Sequence, residues 1–355
     1  MGSQEVNRRG CQWNRWETWD QKNDDDVTAA PSRVLLIADP QILDHYSYPG
    51  RPSWIRYWTT KLGDNYLHRN YVYLQDVLDA GTTIFLGDNF DGGREQPSDT
   101  DWLTEYRRFM DLYPQKVNRR YYTNVPGNHD IGFQTINKAY AQRFDTFFGD
   151  ANQFVEIGNH SFVWLDTISL LHEDPDINGR AKEFLNEVNN LLNPQFPRIL
   201  LSHVPLFRNN QNQLCGPLRE SSKKFPLQKG LQYQTVIDYE VSQLVLGKLH
   251  PTLVFAGDDH DYCEIEQTFK YNGKSISAKE ITVKSASMNM GIKRPAVQLL
   301  SLNNPYNPNP KTTTDDLLSE TYQTEMCYLP DPFHTIQYGL LTKDQDLFDS
   351  DAVTE

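Results

Sequence analysis

Long hydrophobic segments are missing from this sequence. No run of about 18 apolar residues occurs in its 355 positions, and a helix needs about that many to cross a membrane. The first residues, Met-Gly-Ser-Gln, also lack the apolar stretch of a signal peptide. The sequence therefore predicts a soluble chain without a membrane-spanning helix, and its abrupt start suggests that flanking segments have been cut away.

Cysteine is scarce. The four cysteines are Cys11, Cys215, Cys263 and Cys327. They are widely separated and form no Cys-x-x-Cys pair, which argues against a structural zinc site. Two disulfides, with three possible connectivities, and four free thiols both remain open from the residues alone.

Basic residues are outnumbered by acidic ones. The 34 Lys and Arg against 47 Asp and Glu give a formal net charge of −13. Because nucleic-acid binding depends on Lys and Arg that neutralise phosphates, we expect no nucleic-acid partner. A small phosphate-containing substrate remains possible, since bound metal ions can reverse the charge locally.

Short apolar runs alternate with helical patterns along the chain. The runs are typical of buried strands and lie at 33–39, 83–86, 121–125, 162–165, 198–201, 252–256 and 281–283. Helical periodicity is clearest at 66–78, 102–112, 181–192 and 236–249. The alternation predicts an α/β fold with a largely parallel sheet flanked by helices. A hairpin expected over 154–163 would make the sheet mixed.

The two ends of the chain differ from this region. Residues 1–31 are polar and contain Trp13, Trp16 and Trp19, whose spacing would put three indoles on one side of a helix docked against the domain. The aspartates at 24–26 are expected to form a solvated linker. A Pro/Asn-rich stretch opens 303–355, which ends in an acidic tail. We therefore expect one domain, 32–302, whose core ends near Leu302.

Residues with the chemistry of metal ligands directly follow five predicted strands. The clusters are Asp39-Pro40-Gln41, Gly87-Asp88-Asn89-Phe90-Asp91, Gly127-Asn128-His129-Asp130, Ser202-His203 and Gly257-Asp258-Asp259-His260. Ligands of parallel α/β sheets bind outside the carboxyl ends of the strands, so all five clusters should meet at one edge. Turn or helix-cap chemistry explains any single cluster. It does not explain three accompanying histidines, so the sequence predicts a metal-dependent site.

The order of these clusters resembles that of calcineurin-like metallophosphoesterases, over about residues 33–302. Within that superfamily, further motifs are similar to the endoplasmic-reticulum enzymes that remodel glycosylphosphatidylinositol (GPI) anchors. Those motifs are Gly127-Asn128-His129-Asp130-Ile131-Gly132-Phe133, His203-Val204-Pro205-Leu206, His260-Asp261-Tyr262-Cys263, Met290-Gly291 and Cys327-Tyr328-Leu329-Pro330. The resemblance implies a two-sheet α/β sandwich flanked by helices that carries two divalent metal ions, most often Mn²⁺.

The resemblance also implies a role for each motif residue. The implied metal ligands are Asp39, Gln41, Asp88, Asn128, His203, Asp258 and His260, with Asp88 bridging the two ions. A metal-bound hydroxide would attack phosphorus in line with the leaving oxygen. His129, oriented by Asp130, would stabilise a phosphoryl oxygen or protonate the leaving alkoxide. Asp91 would orient loops or a ligand from just outside the metal ligands.

Two positions depart from the superfamily's usual pattern, because Gln41 and Asp258 stand where histidine is usual. Each change replaces a ligand nitrogen by oxygen, which favours manganese or magnesium over zinc. The alternative is that one of the two residues does not bind metal and that one metal site is weak.

The function implied by the resemblance is removal of ethanolamine phosphate from a mannose of the GPI glycan, free or on GPI-anchored proteins. The enzyme would be a monomer whose catalytic domain lies in the lumen of the endoplasmic reticulum. Membrane helices flank that domain in the resembling enzymes, so we expect membrane attachment through segments outside this chain. Their position implies pairing of Cys11 with Cys327 and of Cys215 with Cys263. Asn159-His160-Ser161 is a candidate glycosylation site.

Two alternative functions remain open. The same chemistry could act on another small phosphoester, such as a phosphomonoester, a nucleotide or a phospholipid headgroup. A catalytically dead module that binds GPI-anchored cargo would explain the altered residues at 41 and 258. Retention of Asp88, His129 and His260 favours the enzyme, because a binding role needs no proton donor beside the metals.

Overall fold

The computed structural model describes residues 11–19, 30–304 and 320–333. The predicted aspartate linker at 24–26 and the predicted acidic tail lie outside these residues. The strands are β1 (Ser32–Ile37), β2 (Thr82–Phe85), β3 (Arg120–Tyr122), β4 (Gln153–Ile157), β5 (His160–Trp164), β6 (Arg198–Leu201), β7 (Lys229–Gly230), β8 (Tyr233–Gln234), β9 (Leu253–Ala256), β10 (Cys263–Tyr271), β11 (Lys274–Thr282), β12 (Ala296–Leu302) and β13 (Tyr322–Tyr328).

The α-helices come mainly between strands, as the alternating pattern predicts. They are α1 (Ser53–Leu78), α2 (Asp99–Leu112), α3 (Asn128–Ile131), α4 (Lys138–Phe148), α5 (Thr167–Leu171), α6 (Pro175–Leu191) and α7 (Tyr239–Leu249). Short 3₁₀ turns occur at Trp13–Arg15 and Gly93–Glu95. Within the described ranges, no helix combines the length and the apolar character needed to cross a bilayer.

Two large mixed sheets form the fold, and β7 and β8 pair separately as a small antiparallel sheet. The first has the strand order β13-β12-β1-β2-β3 and the second has the order β10-β11-β9-β6-β5-β4. β1, β2 and β3 run parallel to one another, as do β5, β6, β9 and β11. β4 and β5 form the predicted antiparallel hairpin. The expected two-sheet α/β architecture with mixed, largely parallel sheets is therefore confirmed.

The core divides into two layers because side chains alternate along each strand. On β1, Leu36 belongs to the same hydrophobic cluster as Phe162 and Ile199 of the second sheet. Its neighbour Leu35 packs instead with residues of the helices, including Leu74 of α1. The parallel strands are buried on both faces, which is why they read as continuous apolar runs rather than as alternating patterns.

The tryptophan segment docks on the domain, but not as the predicted helix. Among residues 11–19, which the structure describes here, Trp13–Arg15 alone is helical, as a single 3₁₀ turn. The indole of Trp13 donates to the Leu78 carbonyl oxygen at 2.7 Å, and the indole of Trp19 donates to Ser301 Oγ at 2.8 Å. These partners lie on α1 and β12, and a more extended chain lets the two indoles reach separate elements.

The expectation that the core ends near Leu302 is wrong. β13 pairs antiparallel along the whole of β12, from Tyr328 opposite Ala296 to Tyr322 opposite Leu302. β12 is buried throughout its length, and an uncovered edge would leave its backbone hydrogen-bonding groups unpaired. The returning strand supplies those partners.

Two disulfides use all four cysteines: Cys11–Cys327 and Cys215–Cys263. This is the pairing that the resemblance implies. The first bond ties the N-terminal segment to β13, and the second ties the long connection after β6 to the start of β10.

Candidate metal centre

The five predicted clusters follow the carboxyl ends of parallel strands from both sheets. Asp39 and Asp88 come shortly after β1 and β2, and Asn128 follows β3. His203 and Asp258 come two residues after β6 and β9 of the second sheet. The Nε2 atom of His203 lies 3.4 Å from Asp88 Oδ1. The clusters of the two sheets therefore meet at one edge of the sandwich.

Asp39, Asp88 and His203 form the centre of this group. One ligand atom from each lies within 4.8 Å of the others, and all three side chains are buried. Asp258 joins them, with its Oδ1 3.6 Å from His203 Nε2. A single cation could touch several of these atoms at once.

His203 is held in the orientation that a metal ligand needs. Its Nδ1 lies 2.7 Å from the carbonyl oxygen of Leu86. The N–H of that nitrogen donates to the carbonyl, which leaves Nε2 as the free coordinating atom. Nε2 is buried and has no hydrogen-bond partner.

Several residues of these loops have buried polar atoms without partners. Besides His203 Nε2, they are Asp39 Oδ2, Gln41 Oε1 and Asn128 Oδ1. Both amides use their NH₂ groups elsewhere: Gln41 donates to Asp88 Oδ2 at 2.9 Å, and Asn128 donates to the Gln232 carbonyl oxygen at 3.2 Å.

Buried polar atoms are almost always paired, so such a group points to a ligand that supplies the missing contacts. The donor set is mostly oxygen, with imidazole nitrogen, and it fits hard divalent cations.

The backbone at these positions is strained. Asp39, Gln41, Asp88, Asp258 and His260 have φ values of 46°, 36°, 49°, 68° and 65°. Non-glycine residues rarely adopt this left-handed region, and sparsely populated conformations of this kind cost about 1–3 kcal/mol each. The strained backbone therefore lowers the stability of the fold but orients these side chains toward the site.

Two glycines allow the loops to approach one another. A Cβ atom on Gly127 would lie 1.9 Å from Asp88 Oδ1, and one on Gly87 would lie 2.5 Å from His203 Nδ1. Gly87 also has a φ of 92°. Side chains at these positions would push the ligand-bearing loops apart.

The charges of the site depend on one another. Burial raises the pKa of Asp258 to about 7 and raises that of Asp39 well above its usual range. Burial also acts to raise the pKa of Asp88, but the nearby His203 and His129 outweigh it and lower that pKa. Burial would lower the pKa of His203, yet the carboxylates, Asp88 foremost, raise it. A divalent cation would take over the compensating role of the His203 proton.

His260 lies within electrostatic reach of Asp88, His129 and His203. Burial is the main cause that lowers its pKa to about 4. The imidazole is therefore neutral near pH 7, which is the form that binds metal ions.

His129 is oriented by Asp91, and the prediction that Asp130 orients it is wrong. The Nδ1 atom of His129 lies 2.6 Å from the Asp91 carbonyl oxygen, and its backbone N–H donates to Asp88 Oδ1 at 2.8 Å. The Asp130 carboxylate instead accepts from the backbone N–H groups of Asn89, Phe90 and Gly127. Consecutive side chains on the helical turn α3 point about 100° apart, so Asp130 faces the loops and not the imidazole.

Two contributing residues were missed by the sequence reading. Gln232 has a φ of 64°, and its carbonyl oxygen holds the Asn128 amide. Ser47 donates to the Asp91 carboxylate. Gln232 lies in the connection between β6 and α7, whose unusual length was the available signal, because long loops are often functional. No local pattern marks Ser47.

Known proteins resemble this chain along most of its length. The family model for calcineurin-like phosphoesterase matches residues 32–262. Cell division control protein 1 of Saccharomyces cerevisiae is 48% identical over 336 residues, which cover 93% of this chain and 67% of that protein. Metallophosphoesterase 1 of Ailuropoda melanoleuca is 26% identical over 259 residues, which cover 66% of this chain and 62% of that protein. The chain thus spans about two thirds of the length of these relatives.

Solved structures share the fold only distantly. A purple acid phosphatase from yellow lupin seeds gives a TM-score of 0.45 at 12% identity, covering 83% of this chain and 53% of that one. GAP50, the anchor in the inner membrane complex of Plasmodium, gives 0.42 at 14% identity, covering 88% and 94%. Scores this low say nothing about the substrate.

Proposed function

The chain belongs to the calcineurin-like phosphoesterase family of metal-dependent hydrolases, and we propose that it removes ethanolamine phosphate from a mannose of a GPI glycan. The observation that carries the hydrolytic part is the set of buried, unpartnered ligand atoms that meet at one edge of the two sheets. The substrate is supported by the motif resemblance, which extends beyond the metal ligands to Met290-Gly291 and to Cys327-Tyr328-Leu329-Pro330.

We propose that the ligand set given above, Asp88 included, would hold two divalent ions, Mn²⁺ by preference. Such ions supply an activated water and neutralise the charge that develops on a phosphoryl group. We include Gln41 because its amide N–H donates to Asp88 and its buried Oε1 has no partner. We include Asp258 because its Oδ1 lies 3.6 Å from His203 Nε2.

His129 is the proposed catalytic proton donor. Its side chain is 27% exposed, whereas Asp39, Asp88 and His203 are essentially sealed. Nδ1 is engaged by the Asp91 carbonyl oxygen, so Nε2 is the atom left for the substrate. From there it can stabilise a phosphoryl oxygen or protonate the mannose oxygen as it leaves.

The proposed compartment is the lumen of the endoplasmic reticulum, with attachment to the membrane through segments outside this chain. The two disulfides support it, because disulfides persist in oxidising compartments. Asn159 is exposed in the turn between β4 and β5, where a glycan could be attached.

The test compares His129→Ala with His68→Ala. His68 is a matched control, because it is also partly buried and its Nδ1 contacts a carbonyl oxygen, that of Leu112 at 3.0 Å. With Mn²⁺ added, turnover of a generic phosphodiester should fall by about 10²–10⁴-fold in the first variant and stay unchanged in the second. Both variants should retain two metal ions per chain by mass spectrometry.

Two results would overturn parts of the proposal. Wild-type protein that turns over no phosphodiester with any divalent ion would favour the cargo-binding module. Turnover of a generic diester without release of ethanolamine phosphate from a synthetic GPI glycan would keep the hydrolase and reject the substrate.

A further inference from the structure

The first half of α1 carries an exposed aromatic face. Trp54, Tyr57 and Trp58 are 67%, 56% and 60% exposed, and Leu62 is 55% exposed. Their spacing of three and four residues puts them on one side of the helix. The second half of α1 is different, because residues such as Leu67 are buried in the core. Single exposed apolar residues are ordinary, but four on one helix face form a patch that calls for a partner.

The same stretch is basic. Residues 51–62 contain Arg51, Arg56 and Lys61 and no Asp or Glu, although the whole chain has a net charge of −13. Lys61 Nζ lies 5.9 Å from the ring centroid of Tyr57. Cations are therefore interleaved with the aromatic side chains, and the partner should be apolar and anionic.

The opposite side of the same helix packs against a short loop that leads to the metal centre. A Cβ atom on Gly63 would lie 2.8 Å from the Asn289 side chain, so α1 packs closely on that residue. Tyr48, which precedes α1, donates to the Asn289 carbonyl oxygen at 3.4 Å. The backbone of Met290, the next residue, lies close enough to the imidazole of His260 to influence its pKa. The loop therefore connects α1 to His260, while the aromatic face lies on the side of the helix that points away from this loop.

Other exposed apolar side chains lie near the site and near α1. Leu231 is 81% exposed and precedes Gln232, whose carbonyl oxygen holds the Asn128 amide. Tyr66 of α1 donates to the Pro330 carbonyl oxygen at 2.7 Å, and Phe333, three residues further on, is 41% exposed.

We propose that Trp54, Tyr57, Trp58 and Leu62 form a lipid-contact face that lies in the headgroup region of an anionic membrane. Trp and Tyr are the residues enriched at membrane interfaces, since their rings are apolar and their N–H and O–H groups are polar. Each nearby Lys or Arg adds attraction to anionic lipids.

The anionic membrane would repel the acidic remainder of the chain. This repulsion would orient the protein with α1 toward the membrane. The lipid-contact face holds whether or not the GPI glycan is the substrate. If it is, this face would hold the enzyme on the membrane that carries the lipid-anchored glycan.

The test is co-sedimentation of the full 355-residue chain with vesicles of phosphatidylcholine, with or without phosphatidylserine. We expect binding to the anionic vesicles that weakens as salt rises. Replacing Trp54, Tyr57 and Trp58 together by Ser should weaken the partition at least about tenfold, because the apolar anchor is lost. Charge reversal to Glu at Arg51, Arg56 and Lys61 should weaken binding to anionic vesicles about fivefold or more for each residue.

The control variant carries Val117→Ser and Leu191→Ser. These side chains are 87% and 61% exposed and precede the amino ends of β3 and β6, at the edge of the sheets opposite the metal centre. It should bind vesicles like wild type. Every variant should keep the wild-type melting temperature and its turnover of a soluble phosphodiester, so a failed lipid test leaves the proposed function standing.

Two outcomes would overturn the lipid-contact face. One is wild-type protein that binds no vesicle. The other is an aromatic variant that binds as wild type does, in which case the face serves another partner, such as a protein.

Discussion

Two clusters of buried charged residues lie in this molecule, and they differ in how completely they are paired. In the paired cluster, Glu280 and Arg208 are both fully buried and 2.9 Å apart. One oxygen of Glu280 also accepts from the Leu206 backbone, and the other accepts from Gln267. Arg208 leaves only its Nε without a partner. In the metal centre, by contrast, Asp39, Gln41, Asn128 and His203 each leave an atom unpaired.

The backbone separates the two clusters in the same way. Ligand positions such as Asp88 and Asp258 have positive φ values, whereas Arg208 and Glu280 do not. Nearly complete pairing on relaxed backbone indicates a cluster that holds the fold together. Incomplete pairing on strained backbone indicates a cluster that binds a ligand.

Asp88→Asn should show the largest functional difference between the two clusters. The change removes the charge of a buried residue at the centre of the proposed ligand set, so we expect loss of bound metal and a fall in turnover of about a thousandfold or more. Metal content by mass spectrometry and hydrolysis of a phosphodiester measure both. Glu280→Gln is the control from the paired cluster and should keep its metal. Equal metal loss in the two variants would contradict the assignment of one cluster to metal binding and of the other to fold stability.

Glu280→Gln should lower the free energy of unfolding more than Asp258→Asn does. It leaves the Arg208 guanidinium buried without its counter-charge, which costs about 3–5 kcal/mol. Asp258→Asn in metal-free protein should cost less than about 1 kcal/mol, since burial already disfavours the charged carboxylate there. Urea unfolding of both variants after chelation gives the two free energies of unfolding. A larger loss for Asp258→Asn would mean that its charge stabilises the fold.

The sequence predicted the strands that end at the metal centre because buried parallel strands have a simple pattern. Val34 to Ile37 and Ile199 to Leu201 are apolar on both faces, and the polar residues that follow them fall where parallel sheets bind ligands. Strand positions and ligand types could therefore be inferred without knowing any contact.

Long-range pairing and side-chain direction could not be inferred in this way. β13 comes after a Pro/Asn-rich stretch, and its assignment depends on the edge of β12, which no local pattern reveals. The neighbours His129 and Asp130 look like a catalytic pair in sequence, yet one turn of helix sends them to different partners. Gln232 reaches Asn128 across 104 positions.

Ser47→Ala should have the smallest effect on turnover. It tests whether a residue that does not bind metal contributes to catalysis by positioning His129. Ser47 donates to the Asp91 carboxylate, and the Asp91 carbonyl oxygen orients His129. Loss of the hydroxyl should loosen that loop and lower kcat severalfold to about tenfold, with metal content and KM unchanged.

Ser242→Ala is the matched control, because this buried serine accepts from the Phe207 backbone next to Arg208. Both variants should lose about 1 kcal/mol of unfolding free energy, but only Ser47→Ala should slow turnover. If both slow it equally, the loss reflects general loosening, and Ser47 does not position His129. If neither does, the Asp91 loop is held by its other contacts, such as the His129–Asp91 hydrogen bond itself.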